Sequence, residues 1–126
     1  MPLRSSLEFL RRLLDDQELG IGKPLETQDW EWIAILGDLV ERNLEEIRRS
    51  IEETLENWSM QRLSITTRLI LEQSLCEMRY LDPPTPAPVV MDEAVELARM
   101  FDSDEAAGLV NGVLDSIAGK MTDSGR

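Results

Sequence analysis

Residues 89–117 read VVMDEAVELARMFDSDEAAGLVNGVLDSI, and this stretch decides the fold class. Its apolar residues recur three and four positions apart, which is the spacing of one face of an α-helix and not the alternation of a strand. The pattern predicts a helix over about residues 89–101 and another over about 104–118, with Ser103 as the N-cap between them. The residues expected to face the core are Val90, Ala94, Leu97, Ala98 and Phe101, followed by Ala107, Val110, Val113, Leu114 and Ile117.

The same periodicity continues towards the N-terminus. It predicts a long helix over about residues 29–58 and a shorter one over about 65–81, with Ser64 as a candidate cap. A leucine stripe predicts a first helix over residues 3–19, which the glycines and the proline of residues 20–24 end. No run alternates with period two, so the sequence predicts an all-α helical bundle. The apolar side expected for the 65–81 helix consists of Ile65, Leu69, Leu71, Leu75, Cys76 and Met78.

Interruptions of the helical pattern predict where the helices and the domain begin and end. Residues 57–64 separate the long helix from the next one, so we expect two helical halves joined there. Residues 82–88 hold four prolines in six positions and are expected to be an extended linker. Gly119 is expected to end the last helix, which leaves residues 1–120 as one domain and residues 121–126 as a flexible tail. Gly112, inside a predicted helix, is expected to mark a close helix crossing.

Composition excludes several classes of function. The 126 residues include 13 basic and 25 acidic side chains, for a net charge of −12, which repels phosphate and favours a basic protein partner or simple solubility. There is no histidine and one cysteine, Cys76, so a disulfide within the chain and a Cys/His metal cluster are both excluded, and Cys76 is expected in the core. Glycine-rich phosphate loops and nucleophile elbows are also absent. We therefore expect no catalytic residues, no metal and no cofactor.

No apolar run approaches the roughly 18 residues of a membrane span, and the N-terminus has no continuous apolar signal core. The expected location is therefore the cytoplasm, with no membrane contact.

Two stretches carry a resemblance to a known family. Residues 57–63, NWSMQRL, look like the element N-W-x-x-x-R-L of the NusB family. Residues 92–101 and 110–115, DEAVELARMF and VNGVLD, resemble that family's N-E-A-V-E-L-A-K-x-F and F-V-N-G-V-L-D at the same separation. The resemblance is good from about Trp30 to Ala118 and poor over the first thirty residues.

The resemblance implies a two-half NusB-like bundle and a non-enzymatic binding function. NusB-family proteins pair with NusE, a basic ribosomal protein of the small subunit, and the heterodimer binds boxA RNA in nascent ribosomal transcripts and suppresses premature termination. The alternative is a diverged NusB-fold protein that keeps protein binding and has lost RNA binding. An unrelated helical enzyme or regulator is a third reading, and it would show perturbed carboxylates in a cleft.

Departures from the family pattern bear on RNA binding, because each lost cation removes a phosphate contact. We therefore expect the isolated chain to bind boxA-like RNA weakly and the basic partner to tighten that binding. The departures are Pro88 for a lysine, Gly108 and Leu109 for a basic-aromatic pair, Thr67 for the acid of V-D-R and Glu72 for the arginine of I-L-R.

Candidate site residues follow from these arguments. Arg4, Arg11 and Arg12 give the first segment a local excess of positive charge, so they are the predicted RNA-binding residues, or else ordinary solvated arginines. Glu77 and Tyr80 lie three apart on one helix face beside the proline linker. We expect them near the partner surface; the alternative is that Tyr80 merely packs against the linker.

Overall fold

Four α-helices and one short 3-10 turn make up the part of the chain that the structure, a computed structural model, describes: residues 27–55 and 60–124. Within those ranges there is no strand, which confirms the all-α prediction. The predicted helix over residues 3–19, with Arg4, Arg11 and Arg12, lies outside the described residues, as do residues 56–59 of the predicted hinge. The elements are α1 (Thr27–Thr54), the 3-10 turn (Met60–Arg62), α2 (Ile65–Arg79), α3 (Ala87–Phe101) and α4 (Asp104–Ser124).

Two serines start helices, as the sequence predicted. Ser64 Oγ accepts the backbone N–H of Thr67 at 3.0 Å, and Ser103 Oγ accepts the backbone N–H of Ala106 at 3.0 Å. Each bond satisfies a donor that the first turn of a helix leaves without an intrahelical partner. Both capping predictions are therefore confirmed.

Helix α2 packs against all three other described helices, α1, α3 and α4, as α4 also does. Residues Leu71, Leu75 and Cys76 of α2 have no exposed surface. The core predictions for α3 and α4 are confirmed except at Phe101, which is half-buried. The buried predicted residues of these two helices are Val90, Ala94, Leu97 and Ala98, with Ala107, Val110, Val113, Leu114 and Ile117.

The prediction for α2 is wrong at its first turns. Ile65 and Leu69 are 72% and 45% exposed, although their spacing placed them inside. A helix with neighbours on several sides buries a broad arc, so periodicity alone does not identify its outward edge. The buried arc instead includes four polar residues, Thr67, Glu72, Ser74 and Glu77.

Two predicted boundaries are also wrong. Helix α3 begins at Ala87, inside the proline run, because Pro88 occupies the first turn, where the missing N–H has no intrahelical acceptor to lose. Helix α4 continues through Gly119 to Ser124. Gly119 has no positive φ, so it does not adopt the left-handed conformation that commonly ends a helix. Residues 121–124 are therefore helical, and residues 125–126 of the predicted tail lie outside the described residues.

Gly112 does not mark a helix crossing within the described part of the chain. A Cβ built there would have no neighbouring atom within 4 Å, and the residue is exposed. The predicted close contact at this position is wrong for the described helices.

Candidate partner and RNA interface

Side-chain bonds join α1 to α2 along a polar seam. Arg48 Nε donates to Glu72 Oε2 at 2.8 Å, and the Glu72 side chain is only 6% exposed. Further along α2, Arg79 Nη1 donates to Ser50 Oγ at 2.8 Å. The carboxylate of Glu72 thus has a cationic partner in a place where water reaches it poorly, which is the condition for burying a charge.

The burial of Glu72 bears on whether position 72 could contact RNA. The family pattern that the sequence resembles has arginine at this position, and its replacement predicts the loss of a phosphate contact. A side chain this buried and paired across two helices does not face a solvent-exposed RNA surface. Position 72 therefore lies in the interior of the described helices, and the departure there is no direct measure of a lost phosphate contact.

The predicted partner residues lie where the linker folds back on α2. The backbone N–H of Thr85 donates to the carbonyl oxygen of Glu77 at 3.0 Å, which holds the proline linker against the last turn of the helix. Tyr80 is half-buried and follows that turn directly as the C-cap. Its N–H donates to the Cys76 carbonyl oxygen at 2.8 Å. Tyr80 and the linker thus form one continuous end of the bundle.

Glu77 and Tyr80 differ in what they can offer a partner. The side chain of Glu77 has no exposed surface and faces the interior, so in this state it can only support its surroundings. Tyr80 is partly exposed as a residue, while its hydroxyl is buried. Burial raises the pKa of the Tyr80 phenol; Arg79 opposes that rise and Glu46 reinforces it. Of the two, Tyr80 is the residue that a partner could touch.

A second polar arrangement joins the start of α2 to the connection between α3 and α4. Asp102 Oδ2 accepts hydrogen bonds from Ser64 Oγ at 2.5 Å and from Thr67 Oγ1 at 3.0 Å. The pKa of the Asp102 carboxyl is lowered below its ordinary value by these bonds. The bond from Ser64 has the larger effect and the bond from Thr67 the smaller. Asp102 is exposed, so a fixed and ionised carboxylate stands at the protein surface.

An open groove of about 390 Å³ adjoins this carboxylate. Apolar and charged side chains both line it. No sequence pattern predicts this groove, although Thr67 and Leu109, two departures from the family pattern, are among its lining residues. The residues that line it include Arg62, Leu63, Asp102, Glu105, Ala106 and Leu109.

Two further properties of the described part of the chain limit its chemistry. Among residues 27–55 and 60–124, no three cysteine, aspartate or glutamate side chains are grouped so that they could hold a metal ion. None of the described helices is both long enough and apolar enough to cross a membrane.

Comparison with known proteins identifies the family. The NusB family model matches residues 4–119. The transcription antitermination protein NusB of Koribacter versatilis is 38% identical over 99 residues, which are 79% of this chain and 67% of that protein. That of Natranaerobius thermophilus is 36% identical over 97 residues, or 77% of this chain and 69% of that protein. The chain belongs to the NusB family.

The fold agrees with this assignment. A solved structure of T. maritima NusB superposes with a TM-score of 0.71 at 28% identity, covering 90% of this chain and 74% of that one. A second solved structure, described as a plectonemic RNA supercoil, has a TM-score of 0.70 at 29% identity and covers 85% and 75%. NusB proteins are transcription antitermination factors without enzymatic activity, so the expectation of a non-enzymatic function is confirmed.

Proposed function

We propose that this NusB-family protein pairs with NusE and that the pair binds boxA RNA of ribosomal transcripts to suppress premature termination. The observation that carries the proposal is the family match over residues 4–119. The matching fold supports it, and so does a structural neighbour from a structure described as an RNA supercoil.

Charge supports a basic protein partner. The chain carries a net charge of −12, and complementary charge speeds and orients the encounter of two proteins. The end of the bundle built from Tyr80 and the proline linker offers a partly exposed aromatic residue on a hydrogen-bonded frame. Tyrosine in such a setting is typical of interface residues that contribute strongly to binding. We propose that NusE contacts this end of the bundle, and that Glu77, which is buried in the same helix turn, supports the contact without touching the partner.

The predicted RNA contacts are Arg4, Arg11 and Arg12. They lie in the segment with a local excess of positive charge, and phosphate contact supplies most of the affinity of a protein for RNA. The basic NusE partner would add further positive charge to the combined surface. The isolated protein should therefore bind boxA RNA weakly, and the heterodimer should bind it more tightly.

A specific observation favours the alternative of a member that binds its protein partner without RNA. Pro88 and Gly108 lie at positions where the family pattern often has cations. Both residues are exposed, so the protein surface lacks positive charge at these two positions. The two proposals differ in one measurable quantity, the RNA affinity of the heterodimer.

Calorimetric titration with purified NusE tests the pairing, and fluorescence anisotropy of labelled boxA RNA at several salt concentrations tests the RNA step. The triple change R4A/R11A/R12A should reduce the slope of log affinity against log salt, because fewer counterions are released. A matched control, R42A/R49A/R99A, removes the same charge from exposed positions on α1 and α3. Equal effects of both triple changes would show that net charge, and not the first segment, governs RNA binding.

The partner surface is tested at Tyr80. Replacing Tyr80 with alanine should weaken NusE binding about tenfold, as for an aromatic residue at an interface centre. Tyr80→Phe keeps the ring and is the matched control, expected to bind NusE as the unchanged protein does. Alanine and phenylalanine variants with the same affinity as the unchanged protein would remove Tyr80 from the interface.

A further inference from the structure

The groove beside Asp102 combines an oriented anion with apolar lining residues. Hydrogen bonds from Ser64 and Thr67 both end on Oδ2 of Asp102, and they hold that oxygen of a carboxylate that is exposed to solvent. Glu105 supplies a second carboxylate among the lining residues. An anion held in place loses little freedom when it binds a cation, so it is well prepared to accept one.

The apolar part of the lining suits an aliphatic chain. Leu63 and Ala106 are 7% and 9% exposed and Leu109 is half-buried, and all three line the groove, so apolar surface is available there. Lysine and arginine side chains lay their methylene stems along apolar surface while the charged end reaches water or an anion. A volume of about 390 Å³ leaves room for one such side chain.

We propose that this groove receives a lysine or arginine side chain of the basic protein partner, with the stem on Leu109 and Ala106 and the charge at Asp102 and Glu105. The inference rests on the proposed function, since it assigns a second contact to the NusE surface. Charge complementarity selects a protein cation over RNA, because the two carboxylates repel phosphate. Arg62 also lines the groove, but the two carboxylates of Asp102 and Glu105 outweigh its single positive charge, so the net charge of the lining is negative.

The experiment is calorimetric titration of the full chain with NusE, using Asp102→Asn and Glu105→Gln. Asparagine keeps an oxygen that can accept from Ser64 and Thr67, so the Asp102 variant should remain folded, which circular dichroism verifies. We expect Asp102→Asn to weaken NusE binding about tenfold, because a bond to a charged group is lost, and Glu105→Gln to weaken it less, because only the Asp102 carboxylate is held by Ser64 and Thr67. The Glu105 variant also removes a carboxylate without touching the Ser64 and Thr67 hydroxyls.

Asp115→Asn is the matched control, because it makes the same change of charge on an exposed residue of α4. It lies eleven residues after Asp104, about 16 Å along the helix. Equal weakening by Asp102→Asn and Asp115→Asn would overturn the inference in favour of a general charge effect. Unchanged NusE affinity of the folded Asp102 variant, or tighter RNA binding alone, would also overturn it. If the unchanged chain fails to bind NusE, the proposed function itself is wrong.

Discussion

The ion pair between Arg48 and Glu72 lends itself to a quantitative prediction of stability. It spans α1 and α2, with a donor–acceptor distance of 2.8 Å, and the two side chains are 44% and 6% exposed. Replacing Arg48 with methionine keeps most of the aliphatic stem and removes the charge. The carboxylate of Glu72 would then remain at a nearly inaccessible site without the guanidinium that now faces it.

The expected loss lies between two limits. Breaking a fully buried pair costs about 3–5 kcal/mol, whereas an exposed pair contributes at most about 1 kcal/mol. Because Arg48 is nearly half exposed, water screens one side of the pair. A loss of about 2 kcal/mol in the free energy of unfolding is therefore expected, in the range for a hydrogen bond to a charged group. For a domain of this size that corresponds to roughly 7 °C in Tm.

Urea denaturation followed by circular dichroism measures this loss. The matched control is Arg42→Met, since Arg42 pairs with Asp38 one turn away on the same helix and both side chains are largely exposed. That variant should change stability by less than about 0.5 kcal/mol. A Glu72→Leu, Arg48→Met double variant should recover much of the loss, because an apolar replacement of both partners leaves no buried charge. Equal midpoints for Arg42→Met and Arg48→Met would refute the reasoning.

Three other predictions concern single residues. Burial raises the pKa of the Cys76 thiol to about 11, with Glu77 adding to the rise, so Ellman's reagent at pH 8 should react slowly with the native protein and quickly in urea; rapid native labelling would contradict this. Because the pKa of Asp102 is lowered by folding, its contribution to stability is present above the ordinary value of 3.8 and is lost as the pH falls below it. The stability difference between the unchanged protein and Asp102→Asn should therefore shrink in acid, and a difference constant with pH would contradict the linkage. Gly112→Ala should stabilise the fold by about 0.5–1 kcal/mol in thermal unfolding, since an added methyl group meets no described atom, whereas a lower Tm would reveal a contact at that position.

The helical positions could be predicted from sequence because they depend on local patterns. Apolar spacing placed three of the described helices to within a few residues at most ends, and serine before an apolar run identified both capping positions. The prediction failed at Gly119, since a glycine ends a helix through its backbone conformation and not through its identity. That conformation depends on what surrounds the end of α4.

Which polar residues lie inside could not be predicted, because burial in α2 is decided by three neighbouring helices and not by its own spacing. Ile65 is more exposed than Glu72 or Glu77, the reverse of what their polarity suggests. The groove escaped detection for the same reason. Its residues come from the 3-10 turn, the start of α2 and the start of α4, which are brought together only by folding.

Two departures from the family pattern acquire a common explanation from these contacts. At position 67 the family acid is replaced by threonine, and the hydroxyl of Thr67 donates to the carboxylate of Asp102. At position 72 the family arginine is replaced by glutamate, and Arg48 lies opposite it. In each case the bond joins a donor and an anion on residues of different elements. Thr67 and Glu72 are buried, so these two departures concern contacts within the protein, and they do not measure how well it binds RNA. The exposed positions 88 and 108 bear more directly on that question.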